Sequence, residues 1–264
     1  MKDLTKRVIS AAILLIILIP LIIIGKIPFA IGVGLIGVMA YYEIIKLYKL
    51  PMIIRLFAFI TLMLFIYSNV DANMLNFGLD YKILSASLLL LCSPVVFYQA
   101  KGKYNIEDAF KLYGFLLLVG LGLNFFILIR NLDLRFFILL LLVPIFTDTF
   151  AYVGGSLIGK HKFSKISPKK SIEGCIIGSV MGTFIGSMYY ITFINEPKNI
   201  LIVIPIILMM SIIGQIGDIF FSAIKRKYDI KDFSNLIPGH GGILDRLDSL
   251  IFVALLFAIF IRFL

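Results

Sequence analysis

Residues 199–222 read NILIVIPIILMMSIIGQIGDIFFS. One charged side chain, Asp218, interrupts an otherwise apolar run. The apolar residues continue without the strict alternation of a half-buried strand, so the segment predicts a buried helix. It is long enough to cross the ~30 Å hydrocarbon core of a bilayer, and a strand barrel would show alternation instead.

The same reading extends outward from this stretch. Runs of spanning length occupy 8–25, 28–46, 53–70, 83–99, 109–129, 134–154, 174–194, 199–222 and 246–263. The chain is 61% hydrophobic and 15% charged, with a mean hydropathy of +1.05. A soluble domain carries about a quarter charged residues. The expectation is therefore an all-α, polytopic transmembrane helix bundle of about nine spans, with 1–264 as a single integral membrane domain. No internal repeat is legible. Lys2, Lys6 and Arg7 precede the first run. That run is longer than a signal h-region and lacks a small-x-small cleavage site, so it reads as an uncleaved first span.

The net charge of +10 would raise nucleic acid as a partner in a soluble protein. In a membrane protein, loop cations that set orientation are the commoner cause, and no nucleic-acid partner is expected. With nine spans and a cytoplasmic N-terminus, 19 of the 25 basic residues fall on the cytoplasmic side. This predicts a multi-pass protein of the cell (plasma or inner) membrane. The cytoplasmic loops 160–173 and 223–245 are long and polar and hold both histidines. Cys92 and Cys175 share no metal-ligand spacing, so zinc is disfavoured and any metal should be a hard cation on carboxylates.

Carboxylates at the membrane edge are costly and therefore functional candidates. Asp245 and Asp248 are three apart, which places both on one face of a helix. A divalent cation is the natural neutraliser of such a pair. Asp218, Ser222, Lys225 and Arg226 form one polar stripe on the preceding helix. Between the two helices lies KDFSNLIPGHGGILDR, residues 231–246. Gly239, Gly241 and Gly242 surround His240, and glycine lets backbone amides approach an oxyanion. The helix that begins near Ile243 would point its positive end at the same place. Acids, bases, glycines and a helix start together are the parts of a metal–polyphosphate site. His240 could serve as a general base, a phosphate donor or a turn residue.

A second constellation begins with Asp148 and Tyr152, one turn apart. Gly154 to Lys160 nearly spells a P-loop, but His161 follows and no strand precedes it, so that reading fails. Small residues for close helix packing explain Gly154, Gly155 and Gly159 better. Ser167, Lys169, Lys170 and Ser171 could face phosphate or anionic lipid headgroups. Glu43 is expected to anchor a basic partner in the bundle.

Ser222, Lys225, Arg226, Lys231, Asp232, Ser234, Pro238, His240, Gly241, Gly242, Asp245, Arg246 and Asp248 together resemble the signature of the phosphatidate cytidylyltransferase (CDP-diacylglycerol synthase) family. Asp148, Ala151, Tyr152, Gly155, Gly159, Lys160, Ser167, Pro168, Lys170, Ser171, Glu173 and Gly174 also resemble the family, with Ile172 where many members carry an aromatic residue. The motif-bearing part is about 144–250.

The resemblance implies transfer of CMP from CTP to phosphatidate, giving CDP-diacylglycerol and pyrophosphate, with Mg²⁺, a site open to the cytoplasm and a homodimer. On that basis Asp218, Asp245 and Asp248, with Asp148, are the expected metal ligands. Lys225, Arg226 and His240, together with those aspartates, make the expected catalytic set. Lys231, Arg246, Ser222, Gly241, Gly242, Ser167, Lys170 and Ser171 are the expected substrate contacts. A CTP-dependent lipid kinase acting on a polyprenol-type alcohol is the alternative chemistry. A transporter is disfavoured because the polar clusters crowd one face rather than the midplane, and a membrane scaffold would not need them.

Overall fold

The computed structural model describes residues 2–68, 80–164, 166–167, 170–194, 199–239, 241–261 and 263–264; the side chains of 2–8 and of Ala11 lie outside that description. All nine apolar runs fall on helices, although residues 69–70 of the third run and Arg262 of the last lie outside the described residues. The elements are α1 Lys2–Ile24, α2 Lys26–Lys46, α3 Met52–Ile66, α4 Tyr81–Cys92, the single turn α5 Val95–Tyr98, α6 Ile106–Leu132, α7 Leu134–Ile158, α8 Ile172–Tyr189, α9 Ile200–Lys227 and α10 Leu244–Phe260. No strand occurs among the described residues, only the isolated bridges Lys162–Ser171 and Ile237–Gly241.

Six segments are long and apolar enough to cross a membrane by length and composition, among them α2, α6, α7 and α9. Their outward residues are the wrong kind for water: Leu157 is 77% exposed and Leu201 is 75% exposed. Only lipid makes such a surface favourable, because helices satisfy their own backbone and need no water. The protein is an all-α polytopic membrane protein.

The chain forms two compact units. The first comprises Met1–Leu132 and Phe233–Leu244, and the second Asp133–Asp232 and Asp245–Leu264. In the first, α6 is the central helix and packs against α2, α3 and α4. The α1–α2 break falls at Gly25, whose φ of +68° suits glycine. There Arg130 of α6 donates from Nε to Ile22 O and from Nη2 to Ile23 O, satisfying carbonyls that the end of α1 leaves open.

In the second unit, α7 and α8 pack most intimately. The reason is a four-residue glycine register, Gly174, Gly178, Gly182 and Gly186. A Cβ on Gly178 would stand 2.5 Å from Thr147 O, and one on Gly182 would stand 2.1 Å from Thr147 Oγ1. With no water-driven force between helices in lipid, such close backbone approach is what holds them. The starts of α7, α8 and α9 are capped: Asp133 accepts from Arg135 N at 2.7 Å, Ser171 from Gly174 N at 3.1 Å and Asn199 from Leu201 N at 3.0 Å.

Candidate active site

A cavity of about 340 Å³ opens at the ends of α7, α8 and α9 in the second unit. Asp148, Tyr152 and Gly155 of α7 line it, with Lys170, Ser171 and Cys175 from the start of α8 and Asp218 from α9. The glycine ladder positions these groups, because it draws the cavity ends of α7 and α8 together. A Cβ on Gly174 would lie 2.6 Å from Ala151 O.

Lys170 enters this cavity from a small hairpin. Phe163 N donates to Lys170 O at 2.9 Å, Ile172 N to His161 O at 2.9 Å, and Lys170 N to Ser167 O at 3.2 Å. Glu173 pins the hairpin's base: it accepts from Lys160 N and His161 N and meets His161 Nδ1 at 2.6 Å. Lys170 Nζ then stands 2.6 Å from Asp218 Oδ2 and 3.8 Å from Asp148 Oδ1. The nearer contact is an ion pair rather than an aligned hydrogen bond. Burial alone would push the ammonium's pKa down, but the Asp218 and Asp148 carboxylates outweigh it, and the pKa lies above the ordinary lysine value of 10.5. Lys170 therefore stays charged at neutral pH.

The α9–α10 contact depends on Gly217, where a Cβ would come 2.6 Å from Asp248 O. With nothing in the way, the Asp218 and Asp248 carboxyl groups come within hydrogen-bonding reach of each other. Two turns along α9, Lys225 Nζ meets Asp245 Oδ1 at 2.7 Å, with side-chain exposures of only 11% and 7%. The expectation that Asp245 and Asp248 share a face is met, since both turn toward α9. They then diverge in environment: Asp248 joins Asp218, whereas Asp245 is neutralised by a lysine. Asp245 and Lys225, expected at the metal and at the phosphate respectively, are paired with each other.

The glycine-rich segment belongs to the first unit. Gly239 and Gly241 have φ of +80° and +85°. Ile237 and Gly241 exchange both backbone hydrogen bonds, at 3.0 and 3.2 Å, closing a tight loop. His240 lies outside the described residues, as do Pro168 and Lys169. Glu43 is fully buried. It accepts from Ser234 Oγ at 2.5 Å and from Ile243 N and Leu244 N at 2.8 Å each. Two amides and a hydroxyl thus stand where a basic partner was expected. The first amides of α10, expected to face phosphate, are taken by this carboxylate. Gly242 makes room for it, since a Cβ there would be 2.5 Å from Glu43 Oε1.

Among the other expected substrate contacts, Ser171 lines the cavity but spends its oxygen on the α8 cap. Ser222 is half-buried on α9, one turn from Asp218, and Arg226, Lys231 and Arg246 are exposed. Ser167 contributes its carbonyl to the hairpin turn. Glu173 and Gly217 organise the site through contacts made only in the folded chain. The four-residue spacing of Gly174 through Gly186 was a readable signal for the α7–α8 approach; for Glu43, only its isolation in an apolar run marked it.

Residues 5–264 match the model of the cytidylyltransferase family. The chain is 33% identical over 253 residues to a phosphatidate cytidylyltransferase of Staphylococcus haemolyticus, covering 94% of this chain and 95% of that one. It is 32% identical over 267 residues to the Bacillus subtilis protein of the same name, covering 96% of each. A third, from Staphylococcus aureus, is 31% identical over 253 residues, covering 94% of this chain and 95% of that one. With a match over nearly its whole length and carboxylates and lysines gathered at one end of its helices, the chain belongs to the cytidylyltransferase family.

Proposed function

We propose that this protein transfers the cytidylyl group of CTP to phosphatidate, forming CDP-diacylglycerol and releasing pyrophosphate, in phospholipid biosynthesis. The observation that carries this reading at the site is the meeting of Asp148, Lys170, Asp218 and Asp248 in one part of the second unit. The family match over residues 5–264 accompanies it.

The nucleophile is an oxygen of the lipid phosphate, already an anion, so no strong base is required. Attack at the α-phosphorus of CTP forms the new P–O bond as the bond to pyrophosphate breaks. Catalysis is then alignment and neutralisation of developing negative charge.

A divalent cation, read as Mg²⁺, suits the donor set. Asp218 and Asp248 abut as two hard oxygen donors, and one or two carboxylates plus water and substrate phosphates are what Mg²⁺ commonly takes. No group of three His, Cys, Asp or Glu side chains forms a complete cage among the described residues, which fits a cation shared with the nucleotide. When bound, it would polarise the phosphoryl oxygens. Lys225 keeps Asp245 neutralised so that α10 can present Asp248. Arg226, Lys231, Arg246, His240, Ser222 and Ser167 are read as further phosphate contacts. The charge asymmetry of the loops supports nine spans, a cytoplasmic N-terminus and a site opening to the cytoplasm. A homodimer is the expected assembly.

The test is turnover of purified protein in mixed micelles with phosphatidate, Mg²⁺ and CTP labelled at the α- or γ-phosphorus. Label from the α position in the lipid, with the γ label in pyrophosphate, is expected. Transfer of the γ label to a lipid would instead identify a kinase and overturn the reading.

A further inference from the structure

The first unit carries a cleft of its own, of about 580 Å³. It lies at the mouth of the α2–α3 pair, where α2 ends at Lys46 and α3 begins at Met52. Its lining has two zones: Lys46 and Arg55 supply charge, and Met52, Leu56 and Phe59 supply an apolar wall. Arg55 is pinned at its base, because its Nε donates to Leu50 O at 3.0 Å and its own carbonyl accepts from Tyr41 Oη. Lys46 Nζ stands 5.2 Å from the centre of the Tyr42 ring. Among the described residues, no carboxylate pairs with Lys46, with Arg55 or with Lys49 of the connecting turn. The nearest carboxylate in sequence, Glu43, is buried and committed to the start of α10. The cleft therefore holds uncompensated positive charge above an apolar wall.

That division fits an amphiphile with an anionic head. The guanidinium fork matches phosphate oxygens in pairs, and an ammonium adds a point charge beside it. Tyrosines such as Tyr42 belong at the headgroup level of a bilayer. A free phosphate would gain nothing from the apolar wall. Loop cations that only set orientation need neither a cavity nor a guanidinium held by its neighbouring backbone. Basic pockets between membrane helices hold anionic lipid head groups by the same chemistry. We propose that the α2–α3 cleft binds an anionic phospholipid of the surrounding bilayer, with Lys46 and Arg55 on its phosphate and Met52, Leu56 and Phe59 along its acyl chain. This lipid is additional to the one that reacts, and its binding does not depend on the reading of the reaction.

The chain contains no tryptophan, so Met52→Trp in the full-length protein gives a reporter in the cleft alone. The variant is reconstituted in phosphatidylcholine vesicles, and its fluorescence is quenched with rising fractions of dibrominated phosphatidylglycerol or dibrominated phosphatidylcholine. The anionic lipid is expected to bind at least about fivefold more tightly than the zwitterionic one. At Ile16→Trp, an exposed position of α1 with no charged residue within two turns, the two should bind about equally. Adding Lys46→Gln and Arg55→Gln to the Met52→Trp protein should abolish the preference. Lys46→Gln alone breaks no backbone hydrogen bond and should reduce it, which decides the matter if the double change does not fold. Equal binding in the Met52→Trp protein, a preference untouched by these substitutions, or the same preference at Ile16→Trp would overturn the proposal. So would relief of quenching by inorganic phosphate beyond that given by sodium chloride at equal ionic strength, which would assign the cleft to a free anion.

Discussion

Glu43 and Gly242 fit one another: the carboxylate that caps the start of α10 occupies the space that any side chain at position 242 would need. Glu43 cannot swing aside cheaply, because three hydrogen bonds hold it in a fully buried position. Gly242→Ala should therefore cost about as much as Glu43→Ala. Each leaves buried donors without acceptors, at about 1–3 kcal/mol per group. Thermal unfolding of the purified variants measures both. A Gly242→Ala protein as stable as the parent would refute the coupling.

The two aspartates of α10 should separate under mutation. Asp245→Asn breaks a buried ion pair with Lys225 and should lower stability by about 3–5 kcal/mol. Asp248→Asn relieves the crowding of two carboxyl groups and should leave the melting temperature in cation-free buffer unchanged or raised. Its activity should still fall at least about a hundredfold.

Cation dependence gives a further reading of the same pair. A ligand that binds only the folded state at a hundred times its Kd adds about 2.7 kcal/mol. Wild type should therefore melt higher on adding excess Mg²⁺, and Asp248→Asn should not. An equal upward shift in both would place the ion elsewhere.

The α7–α8 approach predicts opposite outcomes for two glycines. Gly182→Ala drives a methyl into Thr147 and should destabilise by about 1–3 kcal/mol. Gly114 of α6 has nothing within 4 Å of the added Cβ. Gly114→Ala should stabilise by about 0.5–1 kcal/mol, through helix propensity alone. Unfolding curves of the two variants side by side test the sign.

Glu173 holds the hairpin that delivers Lys170. Glu173→Ala should speed amide hydrogen exchange at Lys160 and His161 by about tenfold or more. Activity should drop with it as the ammonium loses its fixed position. Unchanged exchange would show that the hairpin stands without Glu173.

Membrane residence, the helices and the acids and bases of the site were determined by the sequence itself. Run length and continuity around Asp218, and the spacing of Asp245 and Asp248, are local quantities set by helix geometry and hydration energy. Division of labour among those residues was decided only by tertiary structure. Asp245 and Asp248 look alike on a helical wheel. Their environments differ because α10 packs on α9 with Gly217 as the close contact, matching Asp248 to Asp218 and Asp245 to Lys225. Glu43 caps residues two hundred positions away, and Lys170 reaches carboxylates of two different helices. Pairings of that kind depend on which backbones can approach within a few ångströms, a property of packed surfaces that no local spacing encodes.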